Sequence, residues 1–439
     1  MRTFLAVIFL ASLTLACSLS TRWTAQQTPE GQDKPSSGLI AYVGTDGNIY
    51  IVGPEGENQK AVTRDANPTS TSGSERRLYQ QPTWSPDGQH LAFLGFSGKA
   101  GALDKSSLYT VAASGNDLVE AFTSTEYFPF YLYWTPDSQS ISFLSNGSSE
   151  DGLVLHLAAA EGGKSSILGV GQPFYWAWSP SSDVLVVHTG GAFAENPEAK
   201  LAYLTPAGAS EGKSIALQPA AFQAPDWSKD GDRIVVAAES GEGKGILALT
   251  EKDGSQREVL AEFEGPVTFS LSPDGHLLAY TLQDISQNDP TGFFKELVVL
   301  NLEDSAQSRH IVRDVIVGFF WSPDSHSLAY FAPALSSPGS SKETAPLPVE
   351  IQLGLYLADV RNGETRRLTV FSPTSAFIDI LPFYDQYQRS TTIWSPDSQR
   401  IVYSSVDQNG EEGIYVVQAS GEGVSERIAS GNVAFWSWK

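Results

Sequence analysis

The sequence of 439 residues is poor in the residues that cross-linked and zinc-binding folds need. It contains one cysteine, one methionine and six histidines. A single cysteine excludes an intramolecular disulfide framework and a cysteine-rich zinc site. Basic residues are also scarce, with 28 Lys and Arg against 50 Asp and Glu, so the net charge is −22. A surface this acidic repels phosphate, which argues against nucleic-acid binding through a basic stripe.

Long apolar runs are absent except near the N-terminus, where residues 4–16 are mostly apolar. This run is too short for a membrane-spanning helix, which needs about 20 residues, but it fits the apolar core of a secretory signal. It ends in Leu13-Thr14-Leu15-Ala16-Cys17, which resembles the lipobox of bacterial lipoproteins. Thr14 departs from that motif, because an aliphatic residue is usual there. An ordinary secretory signal with an unrelated cysteine is the alternative interpretation.

The lipobox resemblance implies that Cys17 is lipidated and becomes the first residue of the mature protein. Residues 18–37 are rich in Ser, Thr, Gln and Pro without periodicity, which is typical of a flexible tether. We therefore expect a signal peptide over residues 1–17, a tether over 18–37 and a folded body over 38–439. The body would be exported and held at a bacterial membrane, facing the periplasm or the cell exterior.

Glycine (39), proline (25) and aromatic residues (11%) are frequent, which is typical of turn-rich β structure. A Trp-Ser-Pro-Asp tetrapeptide recurs along the chain. Its closest copies are Trp84-Ser85-Pro86-Asp87, Trp134-Thr135-Pro136-Asp137, Trp321-Ser322-Pro323-Asp324 and Trp394-Ser395-Pro396-Asp397. Looser copies begin at Trp178, Trp227, Leu271 and Trp436. Most neighbouring copies lie 42 to 50 residues apart, the length of one four-stranded propeller blade.

Each repeat predicts four strands, A to D. Strand A ends at the Trp, and Ser-Pro-Asp-Gly then forms a tight turn in which Pro fixes φ and Gly relieves the fourth position. Strands B to D occur eight times. The first set has no A strand before it, and the last A strand has no strands B to D after it. The sequence thus predicts an all-β fold, a single eight-bladed β-propeller of four-stranded antiparallel blades. Pairing of the N- and C-terminal strands would close it.

These repeats resemble the WD-repeat-like propellers of TolB and of the N-terminal domains of prolyl-oligopeptidase-type enzymes. The resemblance implies a fold and little about function, since propellers carry many unrelated activities. Those peptidases have an α/β-hydrolase domain after the propeller, and TolB has an extra domain before it. Neither domain is expected here, so neither peptidase activity nor the transport role of TolB is transferred.

Five long insertions fall in B–C and D–A connections, which lie at the same end of the sheets, here called the loop face. They cover residues 97–107, 283–295, 333–350, 66–80 and 371–391. Loops gathered on one face of a rigid scaffold often carry function. The richest insertion and one A-strand position supply the candidate ligand-binding residues, namely Asp226, Phe377, Asp379, Phe383, Tyr384, Asp385 and Tyr387. Packing between blades is the alternative role for the aromatic members. For Asp226 the alternative is a channel-facing carboxylate that is hydrated or accepts backbone N–H bonds.

No catalytic motif, metal site or cofactor is predicted. Residues 208–212 match the letters of a hydrolase nucleophile elbow, but they fall at a C–D turn and not between a strand and a helix. The histidines lack the close spacing of a zinc enzyme. We therefore expect a binding or scaffold protein that recognises a protein, peptide or glycan.

Two alternative functions stay open. One is a glycan hydrolase or lyase that uses carboxylates such as Asp226, Asp379, Asp385 and Glu126. The other is an accessory or sensor subunit of an envelope complex.

The anchor makes a direct prediction. Mature protein extracted from membranes should begin at Cys17 and carry diacylglycerol and fatty-acyl mass, because two or more acyl chains are needed for stable attachment. Cys17→Ser should abolish that mass and release the protein from the membrane fraction, as intact-mass spectrometry and fractionation would show. A mature protein with a free Cys17 thiol would contradict the lipoprotein interpretation.

Overall fold

The computed structural model describes most of the chain after the tether. The described residues are 38–69, 75–99, 102–147, 152–190, 199–206, 213–220, 223–241, 244–282, 294–304, 308–334, 351–421 and 424–439. They belong to one compact unit, Pro35–Lys439. The predicted signal, Cys17 and the tether lie outside them, as does the turn at 208–212. No helix in the described ranges is long and apolar enough to span a membrane.

The structure is built from antiparallel sheets whose strands follow one another in chain order. The first three contain β1 (Ile40–Gly44), β2 (Ile49–Val52) and β3 (Lys60–Ala61); β4 (Glu75–Trp84), β5 (His90–Lys99), β6 (Lys105–Ala112) and β7 (Val119–Ser124); and β8 (Pro129–Trp134), β9 (Ser140–Asn146), β10 (Leu153–Ala159) and β11 (Ser165–Gly171). The next two contain β12 (Phe174–Trp178), β13 (Leu185–Thr189), β14 (Lys200–Leu204) and β15 (Lys213–Ser214); and β16 (Asp226–Trp227), β17 (Arg233–Gly241), β18 (Lys244–Glu251) and β19 (Glu258–Phe263).

The remaining strands complete the pattern. The sixth sheet contains β20 (Val267–Leu271), β21 (Leu277–Leu282), β22 (Glu296–Asn301) and β23 (Ser308–Val312). The seventh contains β24 (Gly318–Trp321), β25 (Ser327–Pro333), β26 (Leu353–Asp359) and β27 (Thr365–Pro373), and it continues into β28 (Arg400–Val406), β29 (Glu412–Gln418) and β30 (Glu426–Ala429). The last strand, β31 (Gly431–Trp436), belongs to the first sheet. The predicted all-β class with four-stranded antiparallel sheets is confirmed.

The two ends of the described chain meet in one sheet. Strand β31 pairs antiparallel with β1, in the register Ile40 opposite Trp436 and Tyr42 opposite Ala434. Strands β28–β30 extend the sheet of β24–β27, because Ser372 and Pro373 of β27 pair with the end of β28. The A-strand position beside β28 is reduced to a single bridge between Trp394 and Ile401.

Burial shows which end of each sheet is outermost. The second and third strands are buried on both faces, as in β9, where Ile141 to Ser145 are all buried. The last strands are largely exposed, as in β11. The apolar core therefore lies between neighbouring sheets. One cluster, for example, combines Leu94 of the second sheet with Leu132 and Phe143 of the third.

The repeated A–B turns join neighbouring sheets at the end opposite the loop face. In the first copy, the Ser85 hydroxyl donates to the Asp87 carboxylate, and Gly88 has a φ of 70°. Ser138 takes the Gly position of the next copy at a φ of 61°, in the left-handed region. Its hydroxyl accepts the backbone N–H of Asp87 at 3.2 Å. The same contact joins Asp137 to Ser182, Asp274 to Ser325 and Asp324 to Ser398.

The repeat tryptophans connect the sheets nearer the centre. All are buried. In five of them the indole N–H donates to a backbone carbonyl of the preceding sheet, and the accepting residue stands just before the repeat Trp of that sheet, or before Leu271 in the sixth. These bonds join Trp84 to Phe435, Trp134 to Thr83, Trp227 to Ala177, Trp321 to Ser270 and Trp394 to Phe320, at 2.9 to 3.3 Å. Trp178 uses a relay, since its indole donates to the Ser142 hydroxyl, which donates to the Tyr133 carbonyl.

Trp436 offers a matched control for these bonds, because it is fully buried but its Nε1 has no hydrogen-bond partner among the described residues. Trp134→Phe leaves the Thr83 carbonyl without its donor, so it should destabilise the protein by about 1–2 kcal/mol more than Trp436→Phe. Urea unfolding of both variants measures the difference. Equal losses would show that the tryptophans act through packing alone.

Candidate functional site

The insertion at 371–391, predicted as a loop, is helical. After β27 it forms α1 (Ser375–Ile378), a 3₁₀ turn (Leu381–Phe383) and α2 (Tyr384–Ser390). Thr374 caps α1 by accepting the Phe377 N–H. The buried residues Phe377, Ile380, Leu381, Tyr384 and Tyr387 lie at positions i, i+3, i+4, i+7 and i+10, which is the pattern of one face of a helix. Residues 375–390 are called the plug below.

The plug lies across the inner strands of several sheets. Helix α2 packs against β8, β12, β20 and β24, each the first strand of its sheet. The Tyr131 hydroxyl donates to the Gln386 carbonyl at 2.8 Å, and Gln386 Nε2 donates to the Trp176 carbonyl at 3.2 Å. The Tyr384 hydroxyl bonds to Thr268 and to Thr281. The plug therefore occupies the centre of the propeller on the loop face.

An ion pair fastens the plug to the fifth sheet. Arg389 Nη1 lies 2.7 Å from Asp226 Oδ1, and the two side chains are 7% and 16% exposed. Arg389 Nη2 also donates to the Ala224 carbonyl. Asp226 Oδ2 accepts the Leu271 N–H at 2.8 Å, where the sixth sheet has Leu instead of Trp. Asp226 thus accepts a backbone N–H where the indole bond is missing, which is the alternative role expected from the sequence. Its ion pair with Arg389 was not expected.

A cavity of about 660 Å³ opens beside the plug on the loop face. Its walls come from the plug and from the third, fourth and sixth sheets. The lining residues are Phe130, Tyr131, Leu144, Leu153, Pro173, Phe174, Tyr175, Pro266, Val267, Thr268, Phe294, Asp379, Pro382, Phe383, Asp385, Gln386 and Tyr387. Phe130 and Phe383 are exposed, with 51% of Phe383 accessible. We call this space the loop-face cavity.

The structure divides the seven candidate ligand-binding residues. Asp379, Phe383, Asp385 and Tyr387 line the loop-face cavity. Phe377 and Tyr384 are almost fully buried and pack inward, Phe377 on Phe331 and Phe371, and Tyr384 on Phe319. For these two residues and for Asp226, the contacts are internal. Whether the other four touch a ligand stays a prediction.

Two polar side chains of the loop-face cavity are deeply buried. Asp385 is 3% exposed, and its burial raises the pKa of the carboxyl to about 6 against the opposing effect of the Arg389 guanidinium and the Ala224 N–H. Gln386 Oε1 has no hydrogen-bond partner in the described part of the chain. Its orientation follows from the Trp176 carbonyl, which can only accept and therefore fixes Nε2 on that side.

Other expected features have different outcomes. The insertion at 97–107 is largely strand, because β5 and β6 continue to Lys99 and from Lys105 as one extended hairpin. Most of 283–295 and 333–350 lies outside the described residues. His156 and His188 are buried in strands, and burial lowers the pKa of each to about 4. Among the described residues, no group of three or more His, Cys, Asp or Glu side chains is placed to hold a metal ion.

Sequence reasoning missed Gln386 and Arg389, which carry the contacts of α2. The signal was available in the helical spacing of the plug's buried residues, because that spacing places position 386 beside the aromatic face. The partners could not be found this way. Tyr131, Trp176 and Asp226 lie more than 150 residues away in sequence.

Comparisons with known proteins support the architecture. A eukaryotic initiation factor matches at 11% identity, over 91% of this chain and 98% of its own, with a TM-score of 0.51. The oligogalacturonate lyase of Vibrio parahaemolyticus matches at 15% identity, over 87% of this chain and 98% of its own, with a TM-score of 0.50. The fold is a β-propeller. Identities this low show a shared fold alone.

TolB from Acinetobacter baumannii matches this propeller at 12% identity, over 82% of this chain and 80% of its own, with a TM-score of 0.37. No protein-family model matches the sequence, and no curated protein matches it either.

Breaking the Asp226–Arg389 ion pair should lower the free energy of unfolding. Asp226→Asn leaves the Arg389 charge buried without its partner, which should destabilise the propeller by about 3 kcal/mol. Removing both charges in Asp226→Asn/Arg389→Gln should recover part of that loss. Arg361→Gln breaks the exposed Arg361–Asp359 pair and should change stability little. Urea unfolding compares the three, and a harmless Asp226→Asn would mean that the pair does not hold the plug.

Proposed function

We propose that this protein is a non-enzymatic binding propeller, anchored by lipid on Cys17 outside the cytoplasm, that holds its ligand in the loop-face cavity. One observation carries the proposal. The cavity has about 660 Å³ of space, apolar walls and a few buried polar groups. Ligand sites typically have 300–1,000 Å³ and this mixture of walls and polar groups.

The proposed architecture is a closed ring of eight blades. Its support is the pairing of β31 with β1 and a hydrogen bond at each junction between consecutive blades. The junction between the fifth and sixth blades uses Asp226 and Leu271. The junction from the eighth blade to the first uses the Trp436 N–H and the Thr392 carbonyl. A closed ring has no open sheet edge, which suits a rigid binding scaffold.

The position of the cavity on a rigid wall favours recognition. Its rim carries Phe130 and Phe383, whose exposed rings can contact an aromatic or aliphatic group on a partner. The plug is held by hydrogen bonds to several inner strands, so the cavity is formed before a ligand arrives. A preformed site reduces the ordering cost of binding. A protein or peptide partner, or a glycan, would reach it from the loop face.

Glycan hydrolysis or lysis is the second candidate function. One observation favours it, because Asp379 and Asp385 line the same cavity and such enzymes use two carboxyl groups. We favour binding because Asp226, the candidate carboxylate on an A strand, is already paired with Arg389. A role as an accessory or sensor subunit of an envelope complex is compatible with the binding proposal.

Site-specific photo-cross-linking tests the binding proposal in the full membrane-anchored chain. A photoreactive phenylalanine at position 383 lies at the cavity rim and should capture a defined protein, peptide or glycan. The control is position 424, where Val424 is highly exposed in the connection between β29 and β30, at the opposite end of the strands. Capture from position 383 and not from 424 is the expected result. The same products from both positions would overturn the proposal.

A further inference from the structure

We propose that the loop-face cavity binds an organic ammonium group on an apolar body, with the Asp385 carboxylate as its counter-charge. This inference rests on the proposed function and specifies the chemistry of the ligand. It draws on three features of the cavity: the sign of its charge, its unpartnered hydrogen-bond acceptor and the composition of its walls.

The charge of the cavity is negative. Among the described residues, its lining includes Asp379 and Asp385 but no Lys, Arg or His. Arg389, on the same helix as Asp385, interacts with that carboxyl but makes its 2.7 Å ion pair with Asp226. The buried group of Asp226, Arg389 and Asp385 therefore carries one uncompensated negative charge when both carboxyls are ionised. Above the pKa of Asp385, a cationic group on a ligand can neutralise it.

The cavity wall includes a buried hydrogen-bond acceptor without a donor. Gln386 Oε1 is buried without a partner in the described structure, and Asp385, the preceding residue of the helix, is also buried and lines the cavity. A buried acceptor without a donor costs about 1–3 kcal/mol, so a ligand that donates hydrogen bonds there is favoured. An ammonium group carries up to three N–H donors, which can serve both side chains.

The walls suit an organic cation rather than a bare ion. Seven aromatic side chains line the cavity, namely Phe130, Tyr131, Phe174, Tyr175, Phe294, Phe383 and Tyr387. Aromatic faces attract cations, and they also bury the apolar body to which an ammonium is attached. The volume of about 660 Å³ is far larger than an inorganic ion requires. With a net charge of −22, the protein also attracts cations from a distance.

Calorimetry on the full mature chain at pH 7.5 tests this inference with two probes of one shape. 2-Phenylethylamine has the ammonium group, and 2-phenylethanol has a neutral hydroxyl in its place. The amine should bind at least tenfold more tightly. Phenylalanine amide and its N-acetylated form make the same comparison for a peptide N-terminus. Binding of phenylalanine amide would point to a peptide as the source of the ammonium, and binding of 2-phenylethylamine alone to a free amine.

Asp385→Asn is the decisive variant because it should fold normally. Burial disfavours the ionised carboxyl, and pH 7.5 lies above its raised pKa, so the folded state bears the cost that Asn removes. The variant should melt at or above the temperature of the unmodified protein. It should nevertheless bind the amine at least tenfold more weakly while binding of the alcohol stays unchanged. Asp379→Asn, at an exposed position, should reduce amine binding by less.

The outcomes separate this inference from the proposed function. Equal affinity for amine and alcohol, or unchanged amine binding by Asp385→Asn, would overturn the ammonium proposal. The cavity would then be an apolar site, and cross-linking from position 383 would still support binding. Failure of all probes also overturns the ammonium proposal, whereas the cross-linking result alone decides the broader one.

Discussion

The bond between a repeat tryptophan and the preceding sheet is the contact on which this propeller depends. A sheet with two apolar faces can slide against its neighbour, because packing alone is not directional. A buried indole N–H that must meet one backbone carbonyl fixes both the spacing and the register. Where Trp178 cannot reach that carbonyl directly, Ser142 relays the bond. Where Leu271 replaces the tryptophan, a carboxylate from the neighbouring sheet takes its place.

That substitution links the scaffold to the candidate site. Asp226 compensates for the missing indole, but a carboxylate at this depth needs a positive partner. The partner, Arg389, comes from the plug, so the same side chain that joins the fifth and sixth sheets also fixes the helix that forms one wall of the cavity. A local departure in the repeat thus positions residues far away in sequence. The rest of α2 is held in the same way, by donors and acceptors on the inner strands.

The repeat could be predicted from the sequence, whereas the conformation and contacts of the plug could not. The Trp-Ser-Pro-Asp unit encodes a turn and a strand end through local rules, so its copies predict blades without knowledge of the rest of the chain. The insertion at 371–391 was predicted as a loop because it lies between two strands, although its buried residues have helical spacing. The Arg389–Asp226 pair was beyond prediction, since it joins residues 163 positions apart. The sequence did name Asp226 as a candidate carboxylate on an A strand, but not as the partner of Arg389.

A buried acid that forms no close ion pair of its own in the described structure is difficult to explain as a structural element. The carboxyl of Asp385 lowers the stability of the folded chain at neutral pH, because its pKa is raised by burial and Asn would fit the same place without that cost. Asp226 provides the contrast within the same site, because its charge is balanced by Arg389 and by backbone donors. A group that weakens the fold and lines an apolar cavity gains a physical rationale when a ligand neutralises it. Under the proposed function, a bound cation would offset the free-energy cost of the ionised Asp385, which packing of the cavity wall alone does not do.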